Sequence, residues 1–176
     1  MEKRLFYWEL GGFAVTSALG TALHFAYDWC HWLAPISAVN ESTWEHMKLL
    51  YVAMLAVSLV QLVFLGKNYP DLPAVRTVSL LTATGLIPAL YYTYLGIWGV
   101  YRSWVGPAVF FLAAAAGFAL DFLLLRKGAL AQRWMQVAGI VLWWAGLFLF
   151  VWWTFQPPHI PLFQDPVTLG YGTLLQ

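Results

Sequence analysis

The sequence predicts an all-α fold: a polytopic membrane protein built as a five-transmembrane-helix bundle with an extended Pro-rich C-terminal segment. Three observations predict it. Hydrophobic residues make up 61% of the 176-residue chain and only 10% of residues are charged, which is more apolar surface than a water-soluble domain of this size can hide. Five apolar stretches each approach the roughly 20 helical residues that cross a hydrocarbon core. The stretches are continuous and lack the alternation of a barrel strand, so helices are favoured.

The first span, about 5–27, follows Lys3 and Arg4. Basic residues before an apolar run imitate a signal peptide, but Glu9 interrupts the run and no small-x-small cleavage site precedes "HFAYDW", so this helix is expected to be retained. After the breaker "APISAVN", the second span covers about 44–65 and opens on "STWE". That is a capping box in which Ser42 bonds the Glu45 NH and Glu45 reaches back to Ser42. "GKNYPDLP" leads to the third span, about 75–98, where Gly85 and Pro88 should bend the helix. "GVYRSWVGP" leads to the fourth, about 105–125, whose "AAAAG" permits close helix packing. "RKGALAQR" leads to the fifth, about 135–155, in which Trp143 and Trp144 are expected to fill the core.

The tail, 156–176, contains "QPPHIPLFQDP". Its prolines forbid a helix and should hold His159 and Asp165 in an extended path over the outer surface, a lid across the bundle mouth. Residues 1–176 are read as a single membrane domain. Lys3, Arg4, Lys67, Arg76, Arg126, Lys127 and Arg133 fall on one side, with Arg102 and Lys48 on the other. This bias predicts a multi-pass protein of the cell inner (cytoplasmic) membrane, N-terminus cytoplasmic and C-terminus extracytoplasmic.

Composition also excludes functions. Cys30 is the sole cysteine, which rules out an internal disulfide and a thiolate metal cluster. A net charge of +1 gives no reason to expect nucleic acid as a partner. Neither a fixed-period repeat nor a glycine-rich phosphate loop is present.

The scarce ionisable groups concentrate in two places that the topology brings to one membrane face. The first span ends in "HFAYDWCHW", where His24, Asp28 and His31 recur at i, i+4 and i+7 and share one stripe if the helix continues that far. The second span begins "NESTWEHMK", and with about 100° per residue its side chains divide between two edges: Glu41, Glu45 and Lys48 on one, Ser42, His46 and Leu49 on the other. The tail can bring His159, a fourth histidine, near the other three.

The segment "NESTWEHMKLL", preceded by "HFAYDW" and followed by "PPHIPLFQDPVTLGYG", resembles a family of small polytopic bacterial membrane proteins classed as a domain of unknown function. The likeness spans the whole chain, with motif positions His24, Asn40, Glu41, Ser42, Trp44, Glu45, His46, Pro157, Pro158 and Asp165. It implies no reaction. A weaker likeness is to seven-helix membrane hydrolases, the alkaline ceramidases and adiponectin receptors, which set zinc-binding histidines inside a bundle. The present chain has fewer helices and lacks their late His-x-x-x-His pair, so that likeness is analogy only.

Histidine, aspartate and glutamate at a bundle rim are the ligand set for zinc or another divalent metal. The expected ligands are His24, Asp28 and His46, with His31 or His159 in addition. Such an ion makes hydroxide available near neutral pH, with Glu41 or Glu45 as general base and Lys48 or Arg102 holding an anionic head group. The resulting expectation is a metal-dependent hydrolase acting on a lipid or amphiphile that enters from the bilayer. Alternatives from other classes are a small-solute or proton-coupled transporter or binding protein, and a haem or quinone electron carrier with His24 and His46 as axial ligands. A purely structural reading is also open: Glu45 caps the second helix and pairs with Lys48, and His31 joins an interfacial aromatic belt with Trp29, Trp32 and Trp44. Glu9 and Asp121 are expected to pair with the nearby Arg4 and Arg126.

Overall fold

A computed structural model describes residues 2–100, 102–128 and 130–173. Within these residues the chain forms five α-helices: α1 (Glu2–Trp29), α2 (Thr43–Leu65), α3 (Leu72–Trp98), α4 (Val105–Lys127) and α5 (Arg133–Phe155). No β-strand occurs among the described residues, and short 3-10 turns lie at His31–Leu33 and Pro161–Phe163. The helices start and stop where the sequence supplies the chemistry. Ser42 caps α2 by accepting from the Glu45 NH, Pro73 sits in the first turn of α3 where its missing NH is harmless, and α3 and α4 end on left-handed Gly99 and Gly128. Pro88 lies inside α3, which continues through it.

Four helices, α2 to α5, are long and apolar enough to cross a membrane, so the protein is a multi-pass membrane protein. At 28 residues, α1 is about 42 Å long at 1.5 Å per residue, yet it carries Glu2, Lys3, Arg4, Glu9, His24 and Asp28 and is the most polar of the five.

Helices α1, α2, α3 and α4 pack in a ring, each against the next and α4 back against α1, while α5 lies outside the ring against α3 and α2. Short connections make consecutive helices antiparallel. Polar contacts fix the ends: Gln136 at the start of α5 accepts from the Ala74 NH at the start of α3, and Thr154 at the end of α5 meets Lys48 at the start of α2. The most enclosed helix is α2. By contrast, α1 buries a single stripe, Leu5, Glu9, Gly12, Thr16, Gly20 and Leu23, at the three- and four-residue steps that keep one helix face on its neighbours. Trp143 is buried whereas Trp144 is exposed on the outer face of α5.

Besides Trp144, three expectations need correction. Glu9 and Asp121 pair with neither Arg4 nor Arg126. Both meet Arg76 of α3, at 3.3 Å and 2.5 Å, with all three side chains buried; Arg126 pairs with Glu2 at 3.0 Å instead. Two carboxylates turned inward need a cation among them, and Arg76, one turn into α3, is the cation that the packing delivers. Second, α1 stops at Trp29 and Cys30 is extended (φ −152, ψ 104), so His31 leaves the stripe shared by His24 and Asp28. Third, the tail is not extended throughout: Gln164 bridges Tyr171 in antiparallel fashion and Leu169 is left-handed (φ 59), so this part turns back on itself. Residues 174–176 of the tail lie outside the described residues.

Candidate metal centre

The site is built at the end of the bundle where α1 finishes and α2 begins. Residues 34–42 connect them, and their conformation is dictated by the start of α2. Asn40 accepts from the Ser42 NH at 2.8 Å and donates to the Gly172 carbonyl of the tail at 3.0 Å. The capping box is half realised. Ser42 Oγ accepts from the Glu45 NH at 3.4 Å, but Glu45 does not return to Ser42. Its Oε2 accepts from the Val39 NH at 3.0 Å and from Lys48 Nζ at 2.6 Å.

Glu45 and Lys48 thus form an enclosed clip, 2% and 0% exposed. Lys48 also donates to the Ala34 carbonyl at 2.9 Å and to Thr154 Oγ1 at 2.7 Å, and Thr154 Oγ1 lies 3.2 Å from Glu45 Oε1. Every proton of the ammonium therefore has an acceptor, the condition under which a buried ion pair is tolerated. The clip ties α2 to α5 and to the 34–42 connection, and so fixes where Glu41 stands.

Glu41 projects the other way, toward α1. Its Oε1 is 3.5 Å from His24 Nε2 and its Oε2 is 3.7 Å from His46 Nε2. One ligand atom from each of His24, Glu41 and His46 falls within 4.8 Å of the others, spacing that a tetrahedral ion with ligand bonds of about 2.0–2.2 Å can bridge after small rotamer adjustments. His46 Nδ1 lies 2.9 Å from the Ser42 carbonyl. Because a carbonyl only accepts, Nδ1 donates, which leaves Nε2 as the ring nitrogen available to a metal on the Glu41 side, the outer-shell arrangement that orients a metal-ligating imidazole. His24 Nδ1 is buried with no hydrogen-bond partner among the described residues. The hydrogen bond with His24 holds the Glu41 carboxyl below the ordinary glutamate range, helped by charge from both histidines and opposed by partial burial.

A cavity of about 330 Å³ opens over this cluster. His24, Glu41 and His46 supply its polar end, and Leu49, Ile87, Tyr91, Val109 and Phe110 line the rest. Gly20 borders it because α1 and α4 touch there: a Cβ at Gly20 would strike the Phe110 ring. Pro166 of the tail also reaches the cavity wall, and the tail is anchored by Phe163, whose ring lies 4.6 Å from Trp44 and 5.5 Å from Trp153.

A model of the family of unknown function DUF6512 matches residues 2–173. The chain belongs to that family. The match bears out the resemblance to a domain-of-unknown-function family, across nearly the whole chain. No curated protein and no solved structure matches it.

In this DUF6512 protein the sequence-derived site residues divide three ways. His24, Glu41 and His46 are brought together. Glu45 and Lys48 meet each other in the enclosed clip and not the histidines. Asp28, His31 and His159 are exposed; His31 packs against the Tyr27 ring at 4.8 Å and His159 stacks on Tyr171 at 4.6 Å, which leaves the fourth histidine on the tail surface, outside the cluster. Arg102 is exposed as well. Sequence reading assigned Glu41 to catalysis and missed it as a candidate ligand, although its place immediately before the Ser42 cap puts it outside the helix and free to turn back. Thr154, a polar residue next to last in an apolar helix, was the available signal for the clip.

Proposed function

We propose that this DUF6512 protein binds a divalent metal, zinc foremost, through His24, Glu41 and His46, and uses it to hydrolyse a lipid or amphiphile. The convergence of two imidazoles and a carboxylate within 4.8 Å at the polar end of an apolar cavity carries this reading. Two histidines and a glutamate are a catalytic-type ligand set that leaves a coordination position open. An ion held there supplies a Lewis acid and a water acidified to about pKa 7. Glu41 then acts as ligand, and the buried Glu45–Lys48 pair serves the site by holding the connection in place.

The apolar walls between α1, α3 and α4 suit an acyl chain, and the polar end suits its ester or amide head. In the bilayer, α1 is taken as a fifth crossing with the N-terminus cytoplasmic, which puts the cluster on the extracytoplasmic side.

Metal analysis of protein purified without chelators tests the reading, with His24→Ala and His46→Ala as controls. One equivalent of metal in the parent protein, lost in both variants while the helical circular dichroism is retained, is expected. A metal-free parent that also fails to take up added zinc overturns it. Hydrolysis of a panel of lipid esters and amides by the loaded protein then tests the reaction, and an absorption spectrum separates the haem alternative.

A further inference from the structure

We propose that Glu9, Arg76 and Asp121 form a proton-binding site in the core of the bundle, distinct from the histidine cluster and independent of its function. The three residues come from three helices of the ring, α1, α3 and α4. Arg76 Nη1 lies 2.5 Å from Asp121 Oδ2, and Nη2 lies 3.3 Å from Glu9 Oε2. The guanidinium also bonds Gln61 of α2 and lies over the Phe118 ring, 4.9 Å from its centre. All these polar side chains are buried.

Two carboxylates face one guanidinium, and among the described residues no other salt bridge reaches the cluster. On α1 the remaining charges near this end are Glu2, Lys3 and Arg4 in the first turns; on α4 they are Arg126 and Lys127 in the last turn, with Arg126 already paired to Glu2. At this level α2 offers only the uncharged Gln61, and the single charge of α5, Arg133, is exposed in its first turn. An ionised carboxylate without a counter-charge in a low-dielectric core is costed at many kcal/mol, and such groups neutralise by taking a proton.

Unsatisfied atoms point the same way. Among the described residues, Glu9 Oε1 and Asp121 Oδ1 are buried without a hydrogen-bond partner, acceptors that a carboxylic proton would serve. The Ser79 hydroxyl, fully buried, stands beside Asp121. On one side Gln61, which bonds the Arg76 guanidinium and donates to the Trp8 carbonyl at 2.9 Å, borders a groove of about 690 Å³ between α1 and α2 that also touches Arg4, Tyr7 and Gly12. The bound species is a proton: it joins one carboxylate to give a neutral carboxylic acid, leaving a one-to-one pair between Arg76 and the other. Its departure leaves two like charges between α1 and α4, so occupancy couples to the packing of those helices.

Infrared spectroscopy of the full chain in lipid nanodiscs at neutral pH tests this. A protonated-carboxyl C=O stretch that shifts down in D2O is expected, absent from one of Glu9→Gln and Asp121→Asn and retained in the exposed control Glu2→Gln. The conservative Glu9→Asp and Asp121→Glu, chosen in case the amide variants fail to fold, should displace the band without removing it. The absence of any such band in the parent protein overturns the proposal. So does a band unmoved by all four variants, or one abolished by sodium at constant pH, which would make the site a metal-cation site.

Discussion

The imidazole Nδ1 of His46 lies 2.9 Å from the carbonyl of Ser42, one turn earlier. Because that carbonyl can only accept, the contact makes Nδ1 the donor and leaves Nε2 as the nitrogen that a metal would take on the side where Glu41 stands. The residue that caps α2 through its hydroxyl therefore also orients a candidate ligand through its backbone.

Glu41 should contribute to metal affinity without being needed for folding. Glu41→Gln keeps the shape of the side chain and removes its charge, and it should weaken zinc binding at least tenfold in a competitive chelator titration. An unchanged affinity would place the metal elsewhere.

The same carboxylate makes the acid side of the stability profile predictable. Its hydrogen bond with His24 lowers the folded-state pKa, so its stabilising contribution is present above the ordinary glutamate range and is lost as pH falls through the lower folded value. At 47% exposure the effect is small. In metal-free protein, the Tm difference between parent and Glu41→Gln should shrink as the pH falls through and below the ordinary glutamate range; a difference constant across that range contradicts the linkage.

Breaking the enclosed clip should be costly and mending it cheap. Glu45→Gln or Lys48→Met alone leaves a buried charge without its partner, a loss of about 3–5 kcal/mol. The double variant should recover much of that loss. A thermal or denaturant double-mutant cycle in detergent measures the coupling, and additive single effects would show that the 2.6 Å contact carries no energy.

Close packing of α3 on α5 rests on Gly139. A Cβ there would lie 2.8 Å from the Pro73 carbonyl oxygen and 2.8 Å from Thr77 Oγ1, and the backbone atom cannot rotate away. Gly139→Ala should therefore destabilise by about 1–3 kcal/mol, as overpacking does. Gly85→Ala, which meets open space, should not lower Tm. Equal Tm values for the two variants would refute the close approach.

Much of this molecule is legible in its residues. The five apolar stretches, the breakers between them and the Ser42 cap appear as helices and ends close to the expected positions, because hydrophobic continuity and capping are local chemistry. The 38–50 segment also announces itself as the place where charge gathers in an apolar chain. His24 and His46 could be paired on paper, since one short connection returns the chain to the same end of the bundle.

What the sequence by itself determined was therefore the helical class, the apolar setting and the neighbourhood of the polar cluster. Tertiary structure alone decided which carboxylate met which partner: Glu41 turned to the histidines, Glu45 to Lys48 and Thr154, and Glu9 and Asp121 to Arg76 in place of Arg4 and Arg126. The reason is geometric. Each residue turns a side chain by about 100° around its helix, so close neighbours in sequence face different helices, and only the packing of the ring sets which long-range partner stands opposite.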